Sequence, residues 1–577
     1  MTHTVADALA LAVKRHGVTD VFGQSLPSAF FLAATRHGLR QVSYRTENAG
    51  GAMADGYARM TGRVAVVGAQ NGPAATLLVP PFAEAIKASV PIVGLVQDVP
   101  RATRDRNAFQ EFDHFALFQG CTKWIRQLTD PARVDDYVDM AFTAAASGRP
   151  GPVVLLLPKD ILVEEAPTPP LGRRTASLGT YPLDRPRAGA PEVTQAARLL
   201  ADAERPVVIA GGGVHLSRAY EPLARLQSAA QLPVATTTMG KGSVDEFHPL
   251  SAGQFGSFMG HTSPTRGMRD YVANADVVLL VGTRTNENGT DGWRALPADA
   301  TYIHIDVDPI EVNRNYDAVR LVGDARAVLT DLAAEIETLD LGKRHARAGS
   351  VEAAIDAARR QYADEAYEVR TSDASPIRPE RIMAELDALL TPQTVVVADA
   401  SYSTIWMAAH LRARAAGQRF LSPRGLAGLG WGLPMALGAK LAHPHAPVVC
   451  IVGDGGFGHV WAELETAVRE DLPVTVILLN NSILGFQKHA ELFAFDDYTS
   501  AIPFHPVDHA AIAQAVGAGG VRVESAAGLH TALADALQSD RLTLVEVLTD
   551  PDAYPPITAW DGHDDRLRVT LPFARTG

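Results

Sequence analysis

A carboxylate and an amide stand where a parallel sheet would present them to a ligand. Gly453-Asp454-Gly455-Gly456-Phe457 follows directly on the apolar run Pro447–Val452, and Asn480-Asn481 follows the next such run, Val474–Leu479. Runs that are apolar throughout fit strands buried on both faces of a parallel sheet. Such sheets bind ligands beyond the carboxyl ends of their strands. Asp454 supplies a carboxylate there and Asn481 a carbonyl oxygen. Hard oxygen ligands that leave positions open for phosphate oxygens suit magnesium. The glycines beside Asp454 let backbone amides approach a diphosphate, which a nearby helix amino-terminus also favours. A lone Gly-Asp-Gly is most often a turn. Its pairing with Asn-Asn after the adjacent strand marks a site.

The elements that must position these residues recur along the chain. Arg63–Gly68, Pro206–Ala210 and Asp276–Gly282 are further apolar runs, each followed by a helical pattern. The fold class is therefore α/β, with helices on both faces of each sheet. The stretch Ala85–Ile92 is echoed at Ala467–Val474, and each copy follows an apolar strand ending in glycine, Gly68 and Gly453. We expect three doubly wound parallel-sheet domains, the first and third related and the central one Rossmann-like. Two stretches without periodicity or with surface-helix character, Val163–Val193 and Leu341–Pro376, separate them. The expected domains span 1–165, 190–340 and 370–550, with a tail over 551–577 placed to act as an active-site lid.

Length and charge bound what the chain can do. Its 577 residues exceed what one core supports. With 52 Lys plus Arg against 65 Asp plus Glu, the net charge of −13 argues against a nucleic-acid surface. Two cysteines, Cys121 and Cys450, exclude a disulfide framework. No apolar run approaches a membrane span. The first residues read as an amphipathic helix carrying Asp7, Lys14 and Arg15, without the features of a signal peptide. A soluble cytoplasmic protein with a small-molecule substrate is expected.

Gly-Asp-Gly followed by Asn-Asn resembles the signature of the thiamine-diphosphate enzymes, and the resemblance covers nearly the whole chain. It implies that Asp454, the Asn481 side chain and the Ile483 backbone oxygen hold magnesium. Gly453, Gly455 and Gly456 would lie against the cofactor's diphosphate, as would Tyr402 and Ser403, and Leu429 would wedge the cofactor into its bent form. In the first block, Thr46-Glu47-Asn48 precedes a small-residue segment ending Gly56-Tyr57-Ala58-Arg59, similar to acetolactate synthases. The resemblance makes Glu47 the carboxyl group on the aminopyrimidine ring, where proton traffic favours a partly desolvated glutamate with a raised pKa. Taken alone, Glu47 would be a helix-start glutamate satisfying the dipole. The first domain would thus be pyrimidine-binding and the third diphosphate-binding. The two halves come from different subunits in this family, which implies a homodimer or homotetramer.

On the substrate side, Gly23-Gln24-Ser25-Leu26-Pro27 reads as a strand end and helix start, with Ser25 a cap and Pro27 in the first turn. Asn107-Ala108-Phe109-Gln110-Glu111 resembles a segment of acetolactate synthases and 2-hydroxyacyl-CoA lyases in which the Phe and Gln face substrate. Gln70–Thr76 occupies the place of the family's loop near the thiazolium. After Asn481, where acetolactate synthases carry a tryptophan, this chain has Ala490 and then Glu491. A carboxylate there could exchange a proton with a substrate hydroxyl, as a lyase requires, or be a solvated surface group. In the central block Gly211-Gly212-Gly213 follows a strand, a dinucleotide signal of low specificity. That block is similar to domains that bind FAD in the synthases and ADP in oxalyl-CoA decarboxylases. Arg284-Thr285-Asn286-Glu287-Asn288 departs from the synthase pattern, which leaves FAD, ADP, CoA or no nucleotide open. The resemblance implies decarboxylation and carboligation of short 2-oxo acids. The alternatives are a 2-hydroxyacyl-CoA lyase releasing formyl-CoA, and a non-catalytic cofactor-binding regulatory homologue.

Overall fold

The computed structural model describes residues 3–168, 172 and 174–562. Its strands form three parallel sheets of six strands each. The first contains β1 (Asp20–Phe22), β2 (Arg40–Val42), β3 (Ala65–Ala69), β4 (Ile92–Asp98), β5 (Trp124–Gln127) and β6 (Val153–Pro158). The central sheet contains β7 (Pro206–Ala210), β8 (Val234–Thr236), β9 (Ser251–Gln254), β10 (Val277–Val281), β11 (Thr301–Asp306) and β12 (Ala318–Val322). The third contains β13 (Val395–Ala398), β14 (Phe420–Leu421), β15 (Val448–Gly453), β16 (Thr475–Asn480), β17 (Gly519–Val523) and β18 (Thr543–Leu548).

Strand order separates the domains into two kinds. The first sheet runs β2-β1-β3-β4-β6-β5 and the third runs β14-β13-β15-β16-β18-β17, the same order element for element. The central sheet runs β12-β11-β10-β7-β8-β9, the Rossmann order read from its other edge. In each sheet the winding reverses between two central strands: β1 and β3, β7 and β10, β13 and β15. A crevice opens at the carboxyl end of such a pair because the two loops leave it in opposite directions. β3, β4, β6, β10, β13 and β16 are buried along their whole length, as apolar runs covered by helices on both faces must be.

The helix Val5–Arg15 starts on a capping box, in which the Thr4 side chain accepts from the Asp7 amide and Asp7 accepts from the Thr4 amide. The expected cap at Ser25 does not form. The helix begins at Ser28 with Pro27 in the capping position, and the Ser25 backbone oxygen merely accepts the Ser28 hydroxyl. A proline two residues later forces the chain past Ser25 before helical dihedrals can begin. Among the described residues no helix is long and apolar enough to cross a membrane. The tail is described as far as residue 562; the rest of the expected lid segment lies outside the described residues.

The first and third domains are joined through two helices, Glu47–Thr61 and Gly432–Ala442. They cross through reciprocal glycines. A Cβ on Gly56 would stand 2.2 Å from the Met435 carbonyl oxygen, and one on Gly438 would stand 2.0 Å from the Met53 carbonyl oxygen. Backbone meets backbone at both points, so no side chain can bend aside. One apolar cluster runs through the crossing and includes Phe22 and Met53 of the first domain with Met435 and Val452 of the third. Two buried carboxylates reinforce it in opposite directions. Glu84 accepts the amides of Gly425, Leu426 and Ala427 at 2.6, 2.6 and 3.2 Å. Glu463 accepts the Arg45 amide at 3.1 Å, the Thr46 amide at 3.3 Å and the Thr466 hydroxyl at 2.8 Å. Each domain's loop is thus held by the other's acid.

Gly438→Ala should therefore behave as an overpacking substitution, costing roughly 1–3 kcal/mol because the obstructing atom is a carbonyl. Thermal unfolding should shift down by several degrees, whereas Gly528→Ala, with nothing within 4 Å of its Cβ, should not shift it comparably. Equal midpoints for the two variants would remove the crossing as a constraint.

Candidate active site

A cavity of about 790 Å³ opens at the carboxyl ends of β13 and β15, where the third sheet reverses its winding. Its floor comes from the third domain. Tyr402, Ser403 and Leu429 line it, with Gly453, Asp454, Gly455 and Gly456 on the loop after β15 and Asn481 and Ile483 after β16. Phe258 and Asn288 of the central domain form another wall, and Ile557 and Trp560 of the C-terminal stretch a third. That stretch is tied to the central domain by the Thr558 amide donating to the Ser257 oxygen at 3.0 Å.

The Asp454 carboxylate is 7% exposed and makes no ion pair with Lys or Arg among the described residues. Burial pushes its pKa up to about 6, against the opposing field of His509 and nearby backbone amides. A buried carboxylate without a cation is the arrangement a metal ion would neutralise. The two asparagines divide their work. Asn480 is buried and donates to Glu546 at 2.6 Å, which turns its side chain inward. Asn481 faces the cavity, and its amide oxygen accepts only the Ile483 amide at 3.2 Å, leaving a lone pair free. Among the described residues no group of three or more His, Cys, Asp or Glu could hold a metal ion by itself. The Asp454 carboxylate and the Asn481 amide oxygen by themselves are an incomplete oxygen set, which phosphate oxygens would help complete. The glycines fit the same group: a Cβ on Gly456 would lie 2.2 Å from the Asp399 carboxylate, so the loop approaches the cavity as bare backbone.

Asp399, Ser401 and Arg424 are cavity residues that sequence patterning does not single out. Asp399 follows β13 and is 1% exposed. Its carboxylate accepts the Ala400, Gly430, Trp431 and Gly432 amides at 2.8, 3.0, 3.0 and 3.3 Å. It thereby fixes the peptide directly after Leu429. Its position at the end of a buried strand is a signal that could have pointed to it. Ser401 adopts φ +65° and ψ −141°, a region essentially reserved for glycine, and makes no side-chain cap bond. The strained residue turns the chain sharply into the helix Tyr402–His410, whose first turn lines the cavity.

Two of the expected site residues have polar side-chain atoms bonded within the protein. The Tyr402 hydroxyl hydrogen-bonds His489 Nδ1 at 2.6 Å and its ring lies against His489, Phe486 and Trp560. Tyr402 thus lines the cavity with its hydroxyl bonded to His489. Glu491 does not reach the cavity, although Gln487 and Ala490 on the same helix do. Its carboxylate accepts the Gln487 side-chain amide at 2.9 Å and the Thr499 amide at 2.7 Å, and these bonds hold its pKa below the usual range. Glu491 stands one helical turn after Gln487, and its bonds to Gln487 and Thr499 occupy both carboxylate oxygens. The expected proton acceptor is instead the anchor of the following loop.

The first-domain residues are brought together with one another, but away from this cavity. Glu47 opens the helix Glu47–Thr61, is 9% exposed, and has its pKa raised by burial. Gln24 donates to the backbone oxygen of Arg45 at 2.9 Å. Asn71 donates to the Phe109 and Gln110 oxygens at 3.2 and 3.0 Å and accepts from Gln97 at 3.0 Å, while Gln70 donates to Gln110 at 2.6 Å. The two expected substrate loops are therefore one hydrogen-bonded unit. Gln110 itself has φ +60°. No first-domain residue lines the cavity that holds Asp454 and Asn481. In the central domain, Gly212, Gly213, Gly282 and Asp306 border a crevice at the β7–β10 reversal, so the triple glycine does sit at a switch point.

Family models for thiamine pyrophosphate enzymes match the chain three times: an N-terminal TPP binding domain over residues 3–117, a central domain over 193–332 and a C-terminal TPP binding domain over 399–547. The chain belongs to the thiamine pyrophosphate enzymes. Within that family it is similar along most of its length to acetolactate synthase large subunits. It is 32% identical over 581 residues to a probable acetolactate synthase large subunit of Methanocaldococcus jannaschii, covering 96% of this chain and 93% of that protein. It is 33% identical over 586 residues to the acetolactate synthase large subunit of Parasynechococcus marenigrum, covering 99% and 91%. With the acetolactate synthase isozyme 2 large subunit of Escherichia coli it shares 30% identity over 545 residues, covering 93% and 94%.

The strain at Ser401 is open to measurement. Ser401→Gly should stabilise the protein by about 1 kcal/mol, the usual scale of a non-glycine residue held in a disfavoured region less the entropy glycine loses. A higher midpoint in chemical or thermal unfolding is the expected result, and an unchanged one would show that the turn carries no strain.

Proposed function

We propose that the enzyme decarboxylates a short 2-oxo acid and joins the remaining acyl fragment, which keeps the electron pair of the broken bond, to a second carbonyl compound, as an acetolactate synthase does. The observation that carries this reading is the pairing of an uncompensated buried carboxylate, Asp454, with Asn481 and a glycine-lined loop at a parallel-sheet switch point. Full-length similarity to acetolactate synthase large subunits supports it. The 2-hydroxyacyl-CoA lyase reading rested on Glu491, and loses that support once its carboxylate is turned to Thr499.

Thiamine diphosphate, when bound, supplies a nucleophilic carbon for attack on a carbonyl and an electron sink for the charge left by departing carbon dioxide. Asp454, Asn481 and the Ile483 oxygen would hold magnesium, and the Ser403 hydroxyl with the amides around Gly455 would receive the diphosphate. Leu429 would press on the cofactor from a loop that Asp399 keeps fixed. Glu47, whose pKa burial raises, would lie on the pyrimidine ring and exchange a proton with it. Gln110, held by Gln70, would face the substrate. In the central domain the crevice at Gly212, Gly213 and Asp306 would be the place for a nucleotide such as ADP or FAD, if the chain binds one.

We further infer that a second copy of the chain completes the site. The cavity is walled by the third domain, the central domain and the C-terminal stretch, while Glu47 and Gln110 lie elsewhere. Beside Gln110, Phe109 is 83% exposed and Phe112 52%, a concentration of bare aromatic surface that suits burial against another chain. A homodimer is the smallest assembly that joins the halves.

The assay for the function is carbon dioxide release and acetolactate formation from pyruvate with thiamine diphosphate and magnesium; no turnover would refute it. Glu47→Gln should retain cofactor affinity and lose about 10²–10⁴-fold in rate, the usual worth of a general acid–base group. Asp454→Ala should lose magnesium-dependent cofactor binding in calorimetry while thermal unfolding of the apoprotein stays near wild type. The two inactive variants, unfolded and refolded together, should regain activity, since a mixed dimer pairs one intact Glu47 with one intact Asp454. Continued inactivity, with mixed dimers present, would sink the shared-site reading.

A further inference from the structure

The charges around the cavity are almost all accounted for. Asp399 is satisfied by four backbone amides and Asp550 is paired with Arg378 at 2.9 Å. Of the two arginines that line the cavity, Arg294 is 71% exposed and lies 3.5 Å from Asp291. The other is Arg424. Its guanidinium makes no hydrogen bond and no ion pair among the described residues, and its carbon sits 5.6 Å from the centroid of the Phe258 ring. Glu84 is the carboxylate whose field reaches it, yet both oxygens of Glu84 are spent on the amides of Gly425, Leu426 and Ala427. Those bonds fix the peptide directly after Arg424, so the arginine projects from a rigid loop and its ring contact limits where it can swing.

A half-buried guanidinium at a cavity wall has donors that no group among the described residues uses, and desolvation pushes its pKa down. Arginine nevertheless keeps its charge and presents a planar fork that matches a carboxylate in two parallel bonds. Its position says which carboxylate. Arg424 shares its loop with Leu429, which would press on the cofactor, and lies against Phe258 of the central domain, whereas Asp454 and Asn481, which would hold the diphosphate end, stand on the loops after β15 and β16. A cation bound to a departing carboxylate would stabilise the anion that has to be lost and so oppose decarboxylation. It suits a carboxylate that stays on the substrate from binding to product. In the carboligation above, carbon dioxide leaves the first 2-oxo acid and the second keeps its carboxylate through carbon–carbon bond formation.

We propose that Arg424 is a specificity-determining residue that selects an acceptor bearing a carboxylate, a second 2-oxo acid, over a neutral aldehyde. This rests on the carboligase reading. Arg424 also borders the central-domain crevice, so its anion could instead be a nucleotide phosphate, and the experiment separates the two.

With the magnesium–thiamine diphosphate holoenzyme and pyruvate as donor, 2-oxobutyrate and propanal compete as acceptors and the two products are quantified. Arg424→Leu should lower kcat/KM for 2-oxobutyrate by about 10–100-fold, the worth of a charge-assisted pair, and leave propanal within a factor of a few. Arg424→Lys should recover part of the preference. Calorimetry with 2-hydroxybutyrate and its neutral amide, neither of which has a ketone to react, gives a readout independent of turnover. Wild type should bind the acid more tightly and Arg424→Leu should not distinguish them. Equal binding of acid and amide by wild type, or an acceptor ratio unaltered in Arg424→Leu, would overturn the proposal. So would weakened ADP binding in Arg424→Leu with the acid preference intact, which would assign the cation to the crevice. If wild type releases no carbon dioxide from pyruvate, the carboligase reading fails separately, and the acid–amide comparison still decides whether Arg424 binds a carboxylate.

Discussion

The crossing of Glu47–Thr61 over Gly432–Ala442 is the constraint on which the remaining architecture depends. Two helices can bring their backbones into contact only where neither carries a side chain, and Gly56 and Gly438 provide the two points. The crossing merges the cores of the first and third domains into one cluster. It also fixes the loops at its ends: Glu463 holds the peptide that leads into Glu47, and Glu84 holds the peptide that leads to Leu429. The same welding sets Glu47 apart from the Asp454 cavity of its own chain. A relative shift of the domains would break the cluster and both carboxylate clamps together, so the proposed union of the two halves calls for another copy of the chain and not an internal rearrangement.

Within the cavity, burial treats two aspartates alike and their partners treat them differently. Asp399 and Asp454 both have pKa values raised by desolvation. Asp399 receives four backbone amides, which makes it a fixed strut for the loop carrying Leu429. Asp454 has only the amides of its own loop and of Asn481 as donors, with no Lys or Arg paired to it among the described residues, and lines the open cavity beside Asn481. Residue type and depth are therefore insufficient to tell a structural acid from a ligand; the count of satisfied lone pairs does so. The same accounting separates Arg294 from Arg424. It also explains Glu491, whose oxygens are both occupied by Gln487 and Thr499.

The sequence by itself determined the α/β class, the number of sheets and the placing of Asp454 and Asn481 at strand ends, while Tyr402, Ser403, Leu429 and Ile483 were named through a family resemblance. These features are local: an apolar run specifies a buried strand, and the residues after it must emerge at the carboxyl end of the sheet. The likeness of the first and third blocks was legible for the same reason, since helix-to-strand connections repeat in order. What failed was whatever depends on a side chain's direction or on a partner far along the chain. Ser25 lost its cap to a proline two residues on, and the Glu491 carboxylate is taken up by Gln487 and the Thr499 amide. Asp399, the strained Ser401, the paired Glu84 and Glu463, and the unpartnered Arg424 became visible only with the tertiary structure. Their roles are set by hydrogen bonds, dihedral angles and contacts between residues hundreds of positions apart, which composition and periodicity do not encode.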